Sequence, residues 1–319
     1  MGRFTVSVML LAVILSVLDV GTVLRRFTDL AFSWVALALV ITVFQMLILA
    51  WRWRYTARKL GINLPLRVAV SEYYLGVLIN QLLPGGVAGD ISRAWRLARS
   101  SASTGTAVRA VALERASAQV VMTTVALASL LFLPMGSGLA RALTSGIGLL
   151  ALGGFLLLGL RQATPTSIAG QTWSDMRRAF LNLKAFPVQL LTAISVVGLY
   201  IILYLITARA VGVTTPIPQL LPLVAPVLMA MLIPFTIAGW GVREGAAAML
   251  WSLVGLAPEE GVAISVAYGL LVLVSTMPGV PIFILTLTEA RSRKVHPPRD
   301  ETAGKGSAAP PLKSARYPE

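Results

Sequence analysis

Apolar residues run almost unbroken through Phe4–Leu24, Trp34–Trp51, Ala107–Leu133, Leu139–Leu160, Pro187–Ala208 and Gly261–Leu287. Each run is close to the ~20 residues a helix needs to cross a hydrocarbon core of ~30 Å, so the pattern predicts about six full spans. The first has the length of a signal peptide. It contains Asp19, lacks a small-x-small cleavage site before a polar region and is soon followed by another span, which predicts a retained signal anchor. Residues 291–319 alternate charge with Pro, Ala and Gly and carry no apolar face, which predicts a disordered basic tail behind a membrane domain at 1–290.

Two further runs are apolar but broken. Residues 67–95 read RVAVSEYYLGVLINQLLPGGVAGDISRAW, and residues 219–251 read QLLPLVAPVLMAMLIPFTIAGWGVREGAAAMLW. Pro84 with Gly85, Gly86 and Gly89 interrupts the first, and Pro222, Pro226, Pro234, Gly239 and Gly241 interrupt the second, which predicts two re-entrant hairpins. Basic residues support the turn-back. Arg52, Arg54, Arg58, Lys59 and Arg67 precede the first broken run, while Arg93, Arg96, Arg99 and Arg109 follow it, so both flanks carry the cytoplasmic signature. With both termini cytoplasmic, this leaves only Arg25, Arg26, Arg141, Arg209 and Arg243 outside and Arg115 within the membrane. A full crossing at the first broken run would instead place the basic 161–186 loop outside.

An internal repeat follows the same breaks. At an offset of 150, LLPGGVAGDISR (82–93) aligns without a gap with LIPFTIAGWGVR (232–243), matching Leu82/Leu232, Pro84/Pro234, Ala88/Ala238, Gly89/Gly239 and Arg93/Arg243. The order span, span, hairpin, span therefore occurs twice, in halves of roughly 1–135 and 136–290. Since the first half begins inside and the second outside, the halves are expected to be inverted. The expected fold is an all-α polytopic membrane protein with two re-entrant broken-helix hairpins in an inverted repeat.

Composition narrows the chemistry. The 319 residues are 56% hydrophobic and 13% charged, with a formal net charge of +14; mean hydropathy is +0.80. In a chain this apolar, the excess of positive charge is directed at an anionic leaflet and not at nucleic acid. There is no cysteine and one histidine, His296 in the tail, which removes disulfides, thiol nucleophiles, Cys/His zinc sites and histidine triads. No Gly-Lys-Ser/Thr follows the glycines, so a nucleotide-binding loop is not indicated, and neither a cofactor nor enzymatic activity is expected.

Three blocks resemble the signature segments of the lysylphosphatidylglycerol synthase transmembrane family, also called flippase-like domain proteins. They are NQLLPGGVAGDISRAW (80–95), VALERAS (111–117) and IPFTIAGWGVREGA (233–246). The resemblance spans roughly residues 5–290. It implies a bacterial inner-membrane protein that moves lipids or lipid-linked precursors between leaflets. It does not imply lysyl-lipid synthesis, which in that family resides in a separate soluble domain that these residues do not contain. Aminoacyl-phospholipids, lipid-linked sugars and hopanoids are associated with its relatives, so the cargo stays open, as does a role as non-transporting partner of a lipid-biosynthetic enzyme or as a membrane-embedded transferase.

The candidate site gathers at the breaks. Gly85, Gly86 and Gly89 permit close backbone approach, and a helix starting near Asp90 directs free N–H groups and a positive dipole end into the break. Arg93 and Arg96 in its first turns add donors suited to a lipid phosphate; the bland alternative is contact with interfacial headgroups. Asp90 acts either as a cap or as a charge partner. Asn80 satisfies broken backbone or lines a wet cavity. Glu114 and Arg115 lie deep in the third span and point ~100° apart, so each needs its own partner, with Arg93 or Arg243 candidates for Glu114. Arg243 and Glu244, behind Gly239 and Gly241, present the same choice between a headgroup site and a fixed ion pair. Glu72, Tyr73 and Tyr74 read as helix face and interface anchors.

Overall fold

A computed structural model of the chain describes residues 20–28, 30–83, 86–101, 103–133, 146, 164, 167–231 and 238–295. Those residues form eleven helices and no strand. They are α1 Val20–Thr28, α2 Phe32–Lys59, α3 Leu66–Leu82, α4 Ala88–Arg99, α5 Thr104–Ser129, α6 Ile168–Ala179, α7 Phe186–Ala210, α8 Ile217–Ala230, α9 Val242–Leu253, α10 Pro258–Ser275 and α11 Gly279–Val295. A 3-10 turn at Leu130–Phe132 continues α5.

Four of these, α2, α5 with its turn, α7 and α10, are long and apolar enough to cross a membrane. They coincide with four of the six expected spans. Of the other two, Leu139–Leu160 lies outside the described residues apart from Gly146, and Phe4–Leu24 is described only where its end opens α1. The run Gly261–Leu287 is not one span. It divides into α10 and α11 around Pro278, whose ring and missing N–H end the first helix, and α11 then starts at Gly279 against the backbone of Tyr74, where a side chain would meet the Tyr74 carbonyl at 2.8 Å. Helix α11 also carries on to Val295, past the expected start of the tail; residues 296–319 lie outside the described residues.

The broken runs form pairs of short helices. With 17 and 12 residues, α3 and α4 extend ~25 and ~18 Å, and α8 and α9, with 14 and 12, extend ~21 and ~18 Å, all short of the hydrocarbon thickness. Members of each pair pack on each other. Helix α3 ends because Pro84 follows Leu83, and a residue before proline is driven out of the helical region; Leu83 is extended, with φ −102° and ψ 143°. In the second pair the expected breaks at Pro222 and Pro226 do not occur. Both lie inside α8. With Pro218 they fall four residues apart on one face, so the two missing N–H groups leave only the carbonyls of Pro218 and Pro222 without helical donors. The turn into α9 instead uses Ala238, Gly239 and Gly241, at φ 49°, 81° and 89°.

Packing repeats at the offset found in the sequence. In the first set α2 meets α3, α3 meets α4, α4 meets α5 and α5 returns to α2; in the second, α7 meets α8, α8 meets α9, α9 meets α10 and α10 returns to α7. The equivalent helices α2 and α7 pack together at the centre, with α5 against α7 and α10 against α2. Two apolar clusters result, one mainly of the first set with Trp53, Tyr73, Leu97 and Val111 but also Val196 of α7, the other mainly of the second with Leu203, Leu223, Trp251 and Ile264 but also Ala38 of α2 and Met122 of α5. Large apolar side chains such as Val40, Phe44, Leu191 and Ile202 stay exposed, as surfaces turned to lipid require.

The basic 161–186 stretch contains a helix. Ser167 accepts from the N–H of Gly170 to start α6, which packs on α2 and α5 and holds Arg109 of α5 through Asp175 (2.6 Å) and Gln171 (3.0 Å).

One contact sets the spacing of the first hairpin. Any side-chain atom added at Gly89 would collide with the Gly76 carbonyl of α3. Gly89→Ala is expected to lower stability by ~2 kcal/mol or more through forced separation of α3 and α4, measurable as a fall in the melting temperature in detergent. Gly86→Ala meets no neighbour within 4 Å and strains only the backbone, at φ +64°, so it should cost less.

Candidate functional site

The breaks bring five charged side chains into one alternating line. Arg52 of α2 lies 3.7 Å from Glu114 of α5, Glu114 lies 3.7 Å from Arg93 of α4, Arg93 bonds Asp90 at 2.5 Å, and Asp90 pairs with Arg115 at 3.1 Å. Three guanidiniums thus enclose two carboxylates. Arg52, Arg93 and Glu114 are fully buried, whereas the Arg115 side chain is 46% exposed and marks the open end.

Local structure places each member. Asn80, near the end of α3, accepts from the backbone N–H of Gly89 (2.7 Å) and donates to Asp90 (3.3 Å), so it satisfies the start of α4 from the neighbouring helix. Asp90 stands in the first turn of α4, where a carboxylate is favoured by the helix dipole. Arg93 passes over Gly76, where a Cβ would meet its Cδ at 2.9 Å, and its guanidinium lies 4.1 Å from the Tyr73 ring centre and 4.9 Å from that of Trp53. Cation–π contact in a dry setting offsets part of its burial cost. Arg115 also donates to the carbonyl of Gly86 (3.4 Å), tying α5 to the glycine break. Gly85 lies outside the described residues.

The line is not saturated. Arg93 Nη1, Arg52 Nη1 and Nε, and Glu114 Oε2 are buried and have no hydrogen-bond partner among the described residues. Arg52 donates to the Ser117 hydroxyl at 2.5 Å, and its approach to Glu114 is an ion pair beyond hydrogen-bond length. Buried guanidinium N–H groups left unbonded are costly, and an oxyanion is the ligand that would satisfy them.

The second cluster is closed. Arg243 donates to Glu244 at 2.6 Å and to the Ser265 hydroxyl at 2.8 Å, Ser265 donates to Glu244 at 3.0 Å, and Glu244 accepts the N–H of Gly241 at 2.7 Å. Gly269 leaves space for this guanidinium, since a side chain there would strike Arg243 Nη2. Neighbouring residues on a helix diverge by ~100°, yet these two meet because both reach round to Ser265.

Several expectations change with this geometry. Glu114 has Arg93 as partner, as expected, but Arg243 is not its counter-ion: Arg243 is bonded within its own cluster to Glu244 and Ser265. Arg96 does not join the line. It is bonded to Glu72 across the α3–α4 pair, so Glu72 is an ion-pair partner and not a bare helix face. Tyr73 is no interface anchor, being buried under Arg93. Arg52, Arg93 and Arg243 are enclosed by protein, so they do not report on a leaflet as the charge-based topology assumed. Pro84, Gly85 and residues 232–237 lie outside the described residues, and with them most of the expected meeting of the two hairpin tips; α5 packs against both α4 and α8.

Arg52 and Trp53 were not singled out in the sequence. Their signal was the run Trp51-Arg52-Trp53-Arg54 inside an apolar helix, where residues two apart point ~200° apart and cannot both face the interface. Arg54 does turn away, donating to the carbonyl of Leu64.

Asn80, Asp90 and Arg93 of one resembling segment and Glu114 and Arg115 of the next therefore share one array with Arg52, and Gly241, Arg243 and Glu244 of the last meet Ser265 in the other cluster. A family model described as the lysylphosphatidylglycerol synthase TM region matches residues 1–279. The chain belongs to this family. It is accordingly a membrane protein related to lipid modification or transport. No curated protein matches the sequence. In this member of the lysylphosphatidylglycerol synthase transmembrane family, the first two resembling segments converge on a single charged line although 15 or more residues part them in the chain.

Removing Glu244 strips Arg243 of its carboxylate and Gly241 of its acceptor. Glu244→Ala is expected to destabilise by about 3–5 kcal/mol, as loss of one partner from a buried pair does, whereas Glu244→Gln keeps an acceptor for Gly241 and should lose less. Thermal unfolding in detergent checks the order.

Proposed function

We propose that the protein is a carrier that moves a lipid with an anionic phosphate headgroup between the leaflets of the bacterial inner membrane. The observation that carries the reading is Arg93: buried, held at the glycine break, aligned by Asp90 and Glu114, and retaining an unbonded Nη1. A headgroup arriving past the exposed Arg115 competes with Asp90 and Glu114 for the same guanidiniums. Differential affinity between occupied and empty arrangements is what lets a ligand shift a conformational equilibrium.

Repetition of the α2–α5 packing in α7–α10 supports a reading of alternating access, in which the halves would be inverted and the broken helices would lie near the midplane. In this reading the α3–α4 cluster is the headgroup station and the closed Arg243–Glu244–Ser265 cluster is the fixed point of the opposite half. Chemistry on the lipid is not part of the reading: Asp90 is bonded to Arg93 and paired with Arg115, and Glu114 stands between Arg52 and Arg93 at 3.7 Å from each.

Two experiments follow. In proteoliposomes, Arg93→Ala is expected to slow exchange of an acyl-labelled anionic phospholipid roughly 10- to 100-fold, the worth of a charge-assisted hydrogen bond. Arg93→Ala leaves Glu114 paired with Arg52 and Asp90 with Arg115, so exchange should fall further than any loss of thermal stability accounts for; wild-type exchange by folded Arg93→Ala would make Arg93 structural. For topology, cysteines placed singly in this cysteine-free chain should react with an impermeant thiol reagent from outside at 210–218, and only after permeabilisation at 61–64 and 170–180.

A further inference from the structure

The charge of the line is uneven. Arg52, Arg93 and Arg115 supply three positive charges, and Glu114 and Asp90 supply two negative ones. Among the described residues, the other ion pairs on these helices cancel locally: Glu72 with Arg96 between α3 and α4, and Asp175 with Arg109 between α6 and α5. Among the described residues, one positive charge is left over in a line whose inner members are fully buried. Uncompensated charge at low dielectric is expensive, and a ligand with one net negative charge would offset it.

Arg52 is the source of the excess. It sits at the inner end of the line, at full burial, and reaches the ligand position only through Glu114. Without it, Glu114 and Asp90 would balance Arg93 and Arg115. Ser117 fixes one of its nitrogens, while Nη1 faces Glu114 without a hydrogen bond.

We propose that Arg52 is a positioning residue that holds the site at one excess positive charge and so selects a headgroup with one net negative charge, a phosphodiester lacking an amine, over a zwitterionic headgroup. The inference rests on the proposed lipid site and names the substrate class that site takes. A zwitterionic headgroup brings its own ammonium and leaves the excess in place; a phosphomonoester near two negative charges overshoots it.

The test compares lipids retained by detergent-purified protein after incorporation into nanodiscs of equal phosphatidylglycerol, phosphatidylethanolamine and phosphatidate, read by mass spectrometry. Wild type is expected to retain phosphatidylglycerol preferentially. Arg52→Gln, which brings the line to neutral, should lower the phosphatidylglycerol to phosphatidylethanolamine ratio about tenfold, the scale of one unit charge acting over ~12 Å at an effective dielectric constant of ~20. Glu114→Gln, which raises the excess to two, should move preference toward phosphatidate. Arg52→Gln with Glu114→Gln restores an excess of one and should restore the wild-type order, a recovery that a merely structural Arg52 does not produce. If Arg52→Gln alone fails to fold, Glu114→Gln and the double variant carry the test. Identical retention by wild type and Glu114→Gln, or a double variant that stays indifferent to charge, overturns the proposal. Glycerophosphoglycerol, the same headgroup without chains, should leave the bound lipid in place at equimolar concentration; displacement would make this a soluble phosphodiester site and overturn the lipid assignment. Failure of transport is distinguishable, because a retained charge rule with no exchange in proteoliposomes removes the carrier reading and leaves this one standing.

Discussion

Three guanidiniums inside a membrane-embedded helix bundle are tolerable only if something negative stands between them. The alternation Arg52, Glu114, Arg93, Asp90, Arg115 meets that demand and draws together four separate helices, because its members come from α2, α4 and α5 while α3 supplies the aromatic floor. Much of the first half is arranged to make the line possible. Gly76 clears the path of Arg93, Gly89 lets α4 approach α3 closely enough for Asp90 to meet Asn80, and Tyr73 and Trp53 face the guanidinium where water would otherwise be needed. The energetic logic is one of offset: desolvation of each ion is large, and only pairing, hydrogen bonds and ring contacts together keep it near balance.

The two halves use one helical plan for different electrostatic ends. In the second half a single arginine meets a single carboxylate, a serine closes the triangle, and the same glutamate terminates the backbone of α9. Charge is balanced there. In the first half it is not, and the imbalance coincides with a partly exposed arginine and unbonded inner nitrogens. Divergence of this kind between repeats is what a carrier with one headgroup station and one structural anchor would need.

What the sequence made legible was periodicity and punctuation. Long apolar runs marked α2, α5, α7 and α10, and Pro84 with its glycines marked the first hairpin, because hydrophobic length and proline sterics act locally. Local signals also misled. Pro222 and Pro226 fit within α8 because their four-residue spacing puts both defects on one face, and Pro278 ended a run that composition alone left continuous. Within the site, Asp90, Arg93, Glu114, Arg115 and Asn80 were visible as polar residues where lipid forbids them. Arg52 was not, since a basic residue near the end of an apolar helix reads as an interfacial charge until the packing of α2 on α5 shows it enclosed. The pairing of Arg243 with its own neighbour was hidden for a related reason: Ser265, which draws the two together, lies 22 residues away.

The central claim is that Arg93 presents a buried, unsatisfied donor to a lipid phosphate. An electron cryomicroscopy structure in phosphatidylglycerol nanodiscs tests it directly. The account predicts phosphate density within hydrogen-bond distance of Arg93 Nη1, with Asp90 or Glu114 displaced from that guanidinium. An empty array, with Arg93 still bonded to Asp90 and the phosphate bound elsewhere in the fold, would contradict it.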